Sequence, residues 1–336
     1  MRQSKIAGVG HYLPSNVVLN KDLESVMETS DSWIQERTGI KERRHIVIGE
    51  EDSTSTMGTK AAIKAIENAG LTADDIDFII FATLSPDYYF PGPGVMVQDQ
   101  LGMKKEVGAL DVRNQCSGFV YSLSIADQFI KTGMYNHVLV IGSEVHSAGL
   151  DMTTRGRNVS VIFGDGAGAV VMSGSDEKGK GVLSTHLHSE GKHAEELALI
   201  GPNTTDWVDK YIERNDPEEI RHYPYMNGNF VFKNAVVRFQ QVIMEALKSN
   251  NLEPSDIDML VPHQANLRIS QFIQKQMGLS DDKVFNNIQK YGNTTAASIP
   301  IALSEALEEG KIRSGDLVCL AAFGSGFTWA SALIRW

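Results

Sequence analysis

With two cysteines and nine histidines in 336 residues, the chain has few ways to build a nucleophilic centre. Cys116 stands out by its placement between a strand-like apolar segment, Val107-Gly108-Ala109-Leu110-Asp111-Val112, and a helix-like one running from Ser117 to Leu123. A cysteine in a strand-to-helix turn projects its sulfur at the first turn of the helix. There the unpaired N–H groups and the positive end of the helix dipole favour thiolate over thiol. Ser117 and Gly118 are small and leave a substrate room to approach. Far downstream lie His263, in Val261-Pro262-His263-Gln264-Ala265-Asn266, and Asn293, in Tyr291-Gly292-Asn293-Thr294-Thr295. Singly, a histidine at a strand end and an asparagine in a glycine turn read as structural. Together with Cys116 they supply an activated nucleophile and two hydrogen-bond donors for a developing oxyanion. That set points to acyl-thioester chemistry. Cys319, inside Leu317-Val318-Cys319-Leu320-Ala321-Ala322, reads as core.

Positioning three residues so far apart requires a large layered framework. Strand signals at 77–82, 137–142 and 167–172 alternate with helix signals at 59–66 and 237–243, which predicts an α/β architecture. A weak internal repeat accompanies the alternation. Leu71-Thr72-Ala73-Asp74-Asp75-Ile76-Asp77 and Leu252-Glu253-Pro254-Ser255-Asp256-Ile257-Asp258 each read as a helix end, a polar turn and a strand start. Each half also closes on a glycine-rich turn before an apolar strand, Gly164 to Gly168 in one and Gly324 to Phe327 in the other. This predicts two duplicated halves, 1–175 carrying the cysteine and 176–336 carrying the histidine and asparagine.

Composition narrows the functions. Hydrophobic residues make up 42% and charged ones 22%, ordinary for a globular enzyme, and the net charge is −11. That balance disfavours nucleic acid or an anionic membrane as partner, and it requires an acidic protein partner to dock on a local basic patch. No apolar run reaches the roughly 20 residues of a membrane span, and Met1 to Ile6 lead into a strand without an apolar leader. With no disulfide framework and no paired metal-ligand spacing, a cytoplasmic, reducing location without a metal is expected. The glycine turns lack a following Gly-Lys-Ser/Thr, so a phosphate-cradling loop is not indicated.

Several longer motifs in order resemble those of the β-ketoacyl-[acyl-carrier-protein] synthase III family, within the thiolase-like condensing enzymes. They are Asp31-Ser32-Trp33-Ile34 with Arg37-Thr38-Gly39-Ile40, Ser55-Thr56-Met57-Gly58, Phe163-Gly164-Asp165-Gly166-Ala167-Gly168, Val261 to Asn266, Gly292-Asn293-Thr294 and Phe323-Gly324-Ser325-Gly326-Phe327-Thr328-Trp329. The resemblance spans nearly the whole chain. It implies a five-layered α-β-α-β-α fold, a homodimer and a ping-pong acyltransferase that initiates fatty acid synthesis without a cofactor. Cys116 would take an acyl group from acyl-CoA, which is a substrate. His263 and Asn293 would promote decarboxylation of malonyl-acyl carrier protein and hold the enolate that attacks the acyl-Cys116 thioester. The backbone N–H groups of Cys116 and Ser325 would hold the oxyanion. Substrate contacts would come from Trp33, Arg37, Asn266 and Phe90, the last reaching across the dimer, together with Arg155 or Arg157. Gln264 and Arg268 match the carrier-protein docking segment, with Lys233, Arg238 and Lys275 as further basic candidates.

Three features depart from the family's usual pattern. Asn114-Gln115 precede the nucleophile where small residues are usual, the segment 153–160 is slightly long, and the stretch 203–227 carries an insertion with Trp207, Tyr211, Tyr223 and Tyr225. They bear on substrate choice, so the alternative is a specialised paralogue using a longer or aryl starter in secondary metabolism. A papain-like protease shares the Cys, His, Asn order but lacks its local signature here. A degradative thiolase needs a second cysteine where Phe323 stands, and a non-catalytic scaffold would not keep all three residues.

Overall fold

The apolar runs in the sequence form strands, most of them longer than the pattern alone marked. In the computed structural model, which describes residues 2–47, 49–201, 203 and 222–336, five strands make the first sheet. They are β1 (Gln3–Tyr12), β2 (Phe78–Ala82), β3 (Gly108–Val112), β4 (His137–Glu144) and β5 (Gly166–Ser175), in the order β1-β5-β4-β2-β3. β2 runs parallel to β3 and β4, while β5 is antiparallel to β4 and β1. The second sheet holds β6 (Gly181–Ser189), β7 (Met259–Pro262), β8 (Leu317–Gly324) and β9 (Thr328–Arg335), ordered β7-β8-β9-β6. β7 is parallel to β8, and β9 is antiparallel to both β8 and β6. Place by place, β6, β9, β8 and β7 repeat the order and directions of β1, β5, β4 and β2. At the position corresponding to β3 the second sheet has a lone parallel bridge, Leu260 to Val284.

Burial explains the composition of the strands. β4 and β8 are covered on both faces, and they read as near-continuous apolar runs rather than alternating ones. Between the sheets lie α2 (Gly118–Lys131) and α5 (Ser298–Glu308). Their Phe119, Leu123, Ile299 and Leu303 pack with Val138 and Val170 of one sheet and Val318 and Leu320 of the other. Outside the first sheet α1 (Thr54–Asn68) buries Met57, Ala61 and Ala65 against Leu139, Ile141 and Val171. Outside the second, α3 (Gly228–Ser249) and α4 (Leu267–Met277) pack Phe239, Ile243 and Ile273 over Cys319, Ala321 and Leu333. The layers therefore run α-β-α-β-α. Cys319 is wholly buried in β8, as its apolar run predicts. No helix among the described residues is long and apolar enough to cross a membrane.

Candidate active site

Three chain segments meet where the central helices begin. After β3 the backbone turns sharply, with Gln115 at φ +43°, and Gln115–Ser117 form one tight helical turn leading into α2. A side-chain-bearing residue in that left-handed region costs about 1–3 kcal/mol and persists only where its surroundings enforce it. Here the bend delivers Cys116 to the end of β8. Gly324 stands against it so closely that a Cβ there would lie 2.7 Å from the Cys116 Cβ and 3.2 Å from Sγ. Asn114, one of the unusual residues before Cys116, donates from Nδ2 to the Ser117 hydroxyl at 3.1 Å, which stiffens the same turn.

The protonation state of Cys116 differs from the sequence expectation. Burial pushes its thiol up to about 12, and the nearby Glu144 adds to the rise. The backbone N–H groups of Cys116 and Ser325 and the Thr295 hydroxyl pull the other way, so the helix-start donors are present. Full desolvation outweighs them. The resting group is a thiol.

His263 follows β7 and continues its ladder, its N–H donating to the Ala321 carbonyl at 2.8 Å. Its Nδ1 hydrogen-bonds the Ser298 hydroxyl at 2.6 Å, and Nε2 is buried with no partner among the described residues. Burial pushes the imidazole down to about 3, so it is neutral at working pH. When Nδ1 accepts from Ser298, Nε2 carries the proton and is a free donor. Asn293 is held by its backbone, with N–H to the Ile162 carbonyl at 2.9 Å and its carbonyl taking the Gly164 N–H at 3.1 Å. Its Oδ1 accepts the Thr295 N–H at 2.8 Å, so the amide presents Nδ2 as donor. A thiol under two backbone N–H groups, beside a neutral imidazole and an amide that both offer donors, can stabilise charge developing on two successive oxygens.

Toward the surface, the helix Asp31–Thr38 presents Trp33 between two guanidiniums: Arg37 at 4.3 Å and Arg157 at 5.0 Å from the ring centroid. Arg155 is drawn off instead to Asp151, with Nε to Oδ2 at 2.6 Å. That helix ends at Gly39, whose φ is +79° and whose Cβ would lie 2.5 Å from the Leu267 Cβ. Asn266 caps α4 by accepting the Arg268 N–H at 2.9 Å, and its Nδ2 donates to the Arg37 carbonyl at 3.0 Å. Gln264 corrects an expectation. It is buried, with Nε2 on the Pro262 and Phe285 carbonyls and Oε1 on the N–H groups of Asn287 and Ile288, so its side chain braces the site and reaches no docking surface. Arg238 is likewise committed, at 2.7 Å from Glu190 and stacked on Trp329. Arg268, Lys233 and Lys275 are exposed. Phe90 is 75% exposed, beside exposed Tyr88 and Tyr89. Of the insertion's aromatic residues, Trp207 and Tyr211 lie outside the described residues, and the Tyr223 ring lies 5.2 Å from the Arg155 guanidinium.

Sequence reasoning missed Thr295, Ser298 and Glu144. Thr295 and Ser298 belong to the turn after Asn293, where small hydroxyl residues are the only signal. Glu144 closes β4 and is wholly buried, accepting from the Thr83 and Ser85 hydroxyls and the Leu84 and Ser85 N–H groups. Burial lifts its carboxyl to about 7. Among the described residues no three His, Cys, Asp or Glu gather as a metal site.

Two five- and four-stranded sheets about a helical layer, with cysteine, histidine and asparagine meeting at its start, define a thiolase-like condensing enzyme. Family models described as 3-oxoacyl-[acyl-carrier-protein (ACP)] synthase III and its C-terminal part match residues 110–191 and 247–336. Beta-ketoacyl-[acyl-carrier-protein] synthase III of Salmonella arizonae is 48% identical over 332 residues, covering 99% of each chain. The crystal structure of 3-oxoacyl-[acyl-carrier-protein] synthase III from Aquifex aeolicus superposes with a TM-score of 0.89 at 43% identity, covering 99% of this chain and 100% of that one. The priming β-ketosynthase of the R1128 polyketide pathway gives the same TM-score at 31% identity, covering 99% of this chain and 96% of that one. The chain belongs to the 3-oxoacyl-[acyl-carrier-protein] synthase III family. It is an acyltransferase of the condensing kind, acting at the start of fatty acid synthesis.

Proposed function

We propose that Cys116 accepts an acyl group from acyl-CoA and that the acyl enzyme then condenses with malonyl-acyl carrier protein, giving a 3-oxoacyl-carrier protein, CO2 and free Cys116. The observation that carries this reading is the buried Cys116 under the N–H groups of Cys116 and Ser325, with the unpartnered Nε2 of His263 in the same enclosed site. In the first step the Cys116 sulfur attacks the thioester carbonyl, the two N–H groups receive the oxyanion, and the bond to the CoA sulfur breaks to release CoA as its thiol. In the second, Nε2–H of His263 and Nδ2–H of Asn293 receive the enolate oxygen as malonyl loses CO2. The carbanion attacks the acyl-Cys116 carbonyl, and the same two N–H groups serve again.

The nucleotide end of acyl-CoA is assigned to Trp33, Arg37 and Arg157, since an adenine can stack beside a ring already flanked by guanidiniums. Arg155 is set aside because Asp151 holds it. The carrier protein is assigned to the exposed start of α4 at Arg268. A homodimer is proposed from the exposed edge strand β3 and the neighbouring Tyr88–Phe90 loop, which give a second copy an edge to pair with and an aromatic residue to receive. Two halves, 1–175 and 176–336, are supported by the repeated strand order of the sheets. A cytoplasmic setting suits a thiol that must stay reduced. The relatives favour fatty acid synthesis over the polyketide alternative, the latter being the more distant of the two similarities. Incubation with acetyl-CoA should add one acyl mass per chain, absent in Cys116→Ala. Acyl mass persisting in that variant overturns the assignment.

A further inference from the structure

The chemistry above leaves one proton without a destination. A thiol cannot attack a thioester usefully while it keeps its hydrogen, and burial pushes the Cys116 thiol up to about 12. His263 and Asn293 are arranged for the enolate. The Thr295 hydroxyl, by contrast, is one of the groups that favour the Cys116 thiolate, and the 295–297 turn that carries it packs against the Gln115–Ser117 turn that carries Cys116. Behind it stands a second histidine that the reaction does not otherwise use. His146 Nε2 lies 2.8 Å from Thr295 Oγ1, and both residues are buried.

Everything around His146 fixes it in place. Its ring packs on Phe163 with centroids 4.7 Å apart. Its backbone N–H donates to Asp165 Oδ1 at 2.7 Å, and the Ser147 N–H joins the same oxygen at 2.9 Å. Asp165 is itself wholly buried, and its other oxygen takes the Ile46 N–H at 2.8 Å and the Ser147 hydroxyl. The titratable groups facing the imidazole are Asp165, which favours its cation, and His45, which opposes it. Thr295 and Glu144 both act on the Cys116 thiol, the hydroxyl favouring its anion and the carboxylate opposing it. Burial is the dominant influence and holds His146 down at about 4, so the imidazole is neutral at working pH and would hold the proton only transiently, as charge passes from the sulfur to the thioester oxygen.

We propose that Thr295 and His146 form the relay that takes the proton from Cys116 during acyl loading, with His146 a positioning residue that acts through the Thr295 hydroxyl. This rests on Cys116 being the acylated residue. As Sγ bonds to the acyl carbon, its proton passes to Thr295 Oγ1 and the hydroxyl's own proton passes to His146 Nε2. When the tetrahedral intermediate collapses, the bond from carbon to the CoA sulfur breaks. The proton then returns by the same hydroxyl to that sulfur, releasing CoA as the thiol. Nothing is oxidised, and no group outside the substrate and these three residues takes part.

The test is single-turnover loading of Cys116 by acetyl-CoA, followed by intact mass across pH, in wild type, His146→Leu, Thr295→Val and the double variant. General acid–base assistance of this kind is commonly about 100-fold or more, so each single variant should load roughly 100-fold more slowly. Each should also gain a rise with pH of about one log unit per pH unit where the wild type is level, because loading then draws on the small thiolate fraction. The double variant should be no slower than either single one, since both break one relay. Thr295→Ser, which keeps the hydroxyl, should restore most of what Thr295→Val loses. CO2 release from malonyl-carrier protein by enzyme already acylated involves no thiol proton in its first step and should fall far less. Thr295→Val matches the native shape, and His146→Gln serves if the leucine variant does not fold. Loading at the wild-type rate, strictly additive losses, or an unchanged pH profile in these variants would each overturn the relay. A wild-type protein that takes no acyl group on Cys116 would instead overturn the parent assignment.

Discussion

At the scale of single residues the site works by withholding charge. Cys116, His263 and Glu144 are all buried, and burial pushes each toward its neutral form: the thiol and carboxyl up, the imidazole down. A resting thiol has a direct signature. Alkylation by iodoacetamide follows the thiolate fraction, so its rate on Cys116 should climb about tenfold per pH unit from about pH 6 to pH 9 without levelling. A plateau below about pH 8 would mean that the helix start holds a thiolate after all. Asn293 carries a second prediction. Removing one oxyanion donor costs about 100- to 1000-fold in rate, so Asn293→Ala should still acquire an acyl mass from acyl-CoA yet lose condensation by that factor. If rapid-quench measurement found both half-reactions intact, the amide would have no part in holding the enolate.

Among the elements, the turn that closes β8 confines Cys116 most tightly. Gly324→Ala would place a methyl 2.7 Å from the Cys116 Cβ, against a side chain held by the strained turn at Gln115. Overpacking of that kind costs about 1–3 kcal/mol, so the variant should show a lowered midpoint in denaturant and a displaced, slowly loading Cys116. Loading at the wild-type rate would show that the turn can shift aside. Much of this level was legible in the sequence. β2, β4, β5, β7 and β8 fall on the apolar runs, and long motifs mark the turns that carry Cys116, His263 and Asn293. What stayed hidden were partnerships across distance. His146 and Thr295 are 149 positions apart, and a lone His after a strand carries no signal of the hydroxyl it will meet. Gln264 misled for a similar reason. A polar residue beside His263 at a strand end reads as surface until the backbone of 285–288 is seen folded over it. The thiol's protonation also turned on enclosure by β8 and the 295–297 turn, which a local reading of the strand-to-helix turn omits.

Across the whole molecule the net charge of −11 sets the terms of docking. An acidic carrier protein is repelled by the molecule at large and needs a local basic spot. Arg268 is the residue proposed for that role: it is exposed, forms no ion pair with a described residue, and follows the helix cap at Asn266. Its guanidinium lies 5.9 Å from the centroid of the Phe232 ring of α3, and Lys233, the residue after Phe232, is also exposed. Arg268→Glu should therefore raise the Michaelis constant for malonyl-carrier protein several-fold while acyl-CoA loading stays nearly intact. Wild-type condensation should slow as salt rises, because the screening length is only about 8 Å at physiological ionic strength. Carrier-protein kinetics untouched by the reversal would move the docking site elsewhere.

The bond from Asn266 to the Arg37 carbonyl, with Gly39 pressed on Leu267, has a consequence for traffic through the enzyme. It joins the strip proposed to hold the nucleotide of one thioester to the helix start proposed to receive the carrier of the other. On those assignments both donors arrive at a single doorway and compete for it. Spent CoA would then have to vacate before the carrier docks, and a lingering carrier would bar the next CoA. Strict alternation then needs no moving gate, because the shared threshold itself imposes the queue.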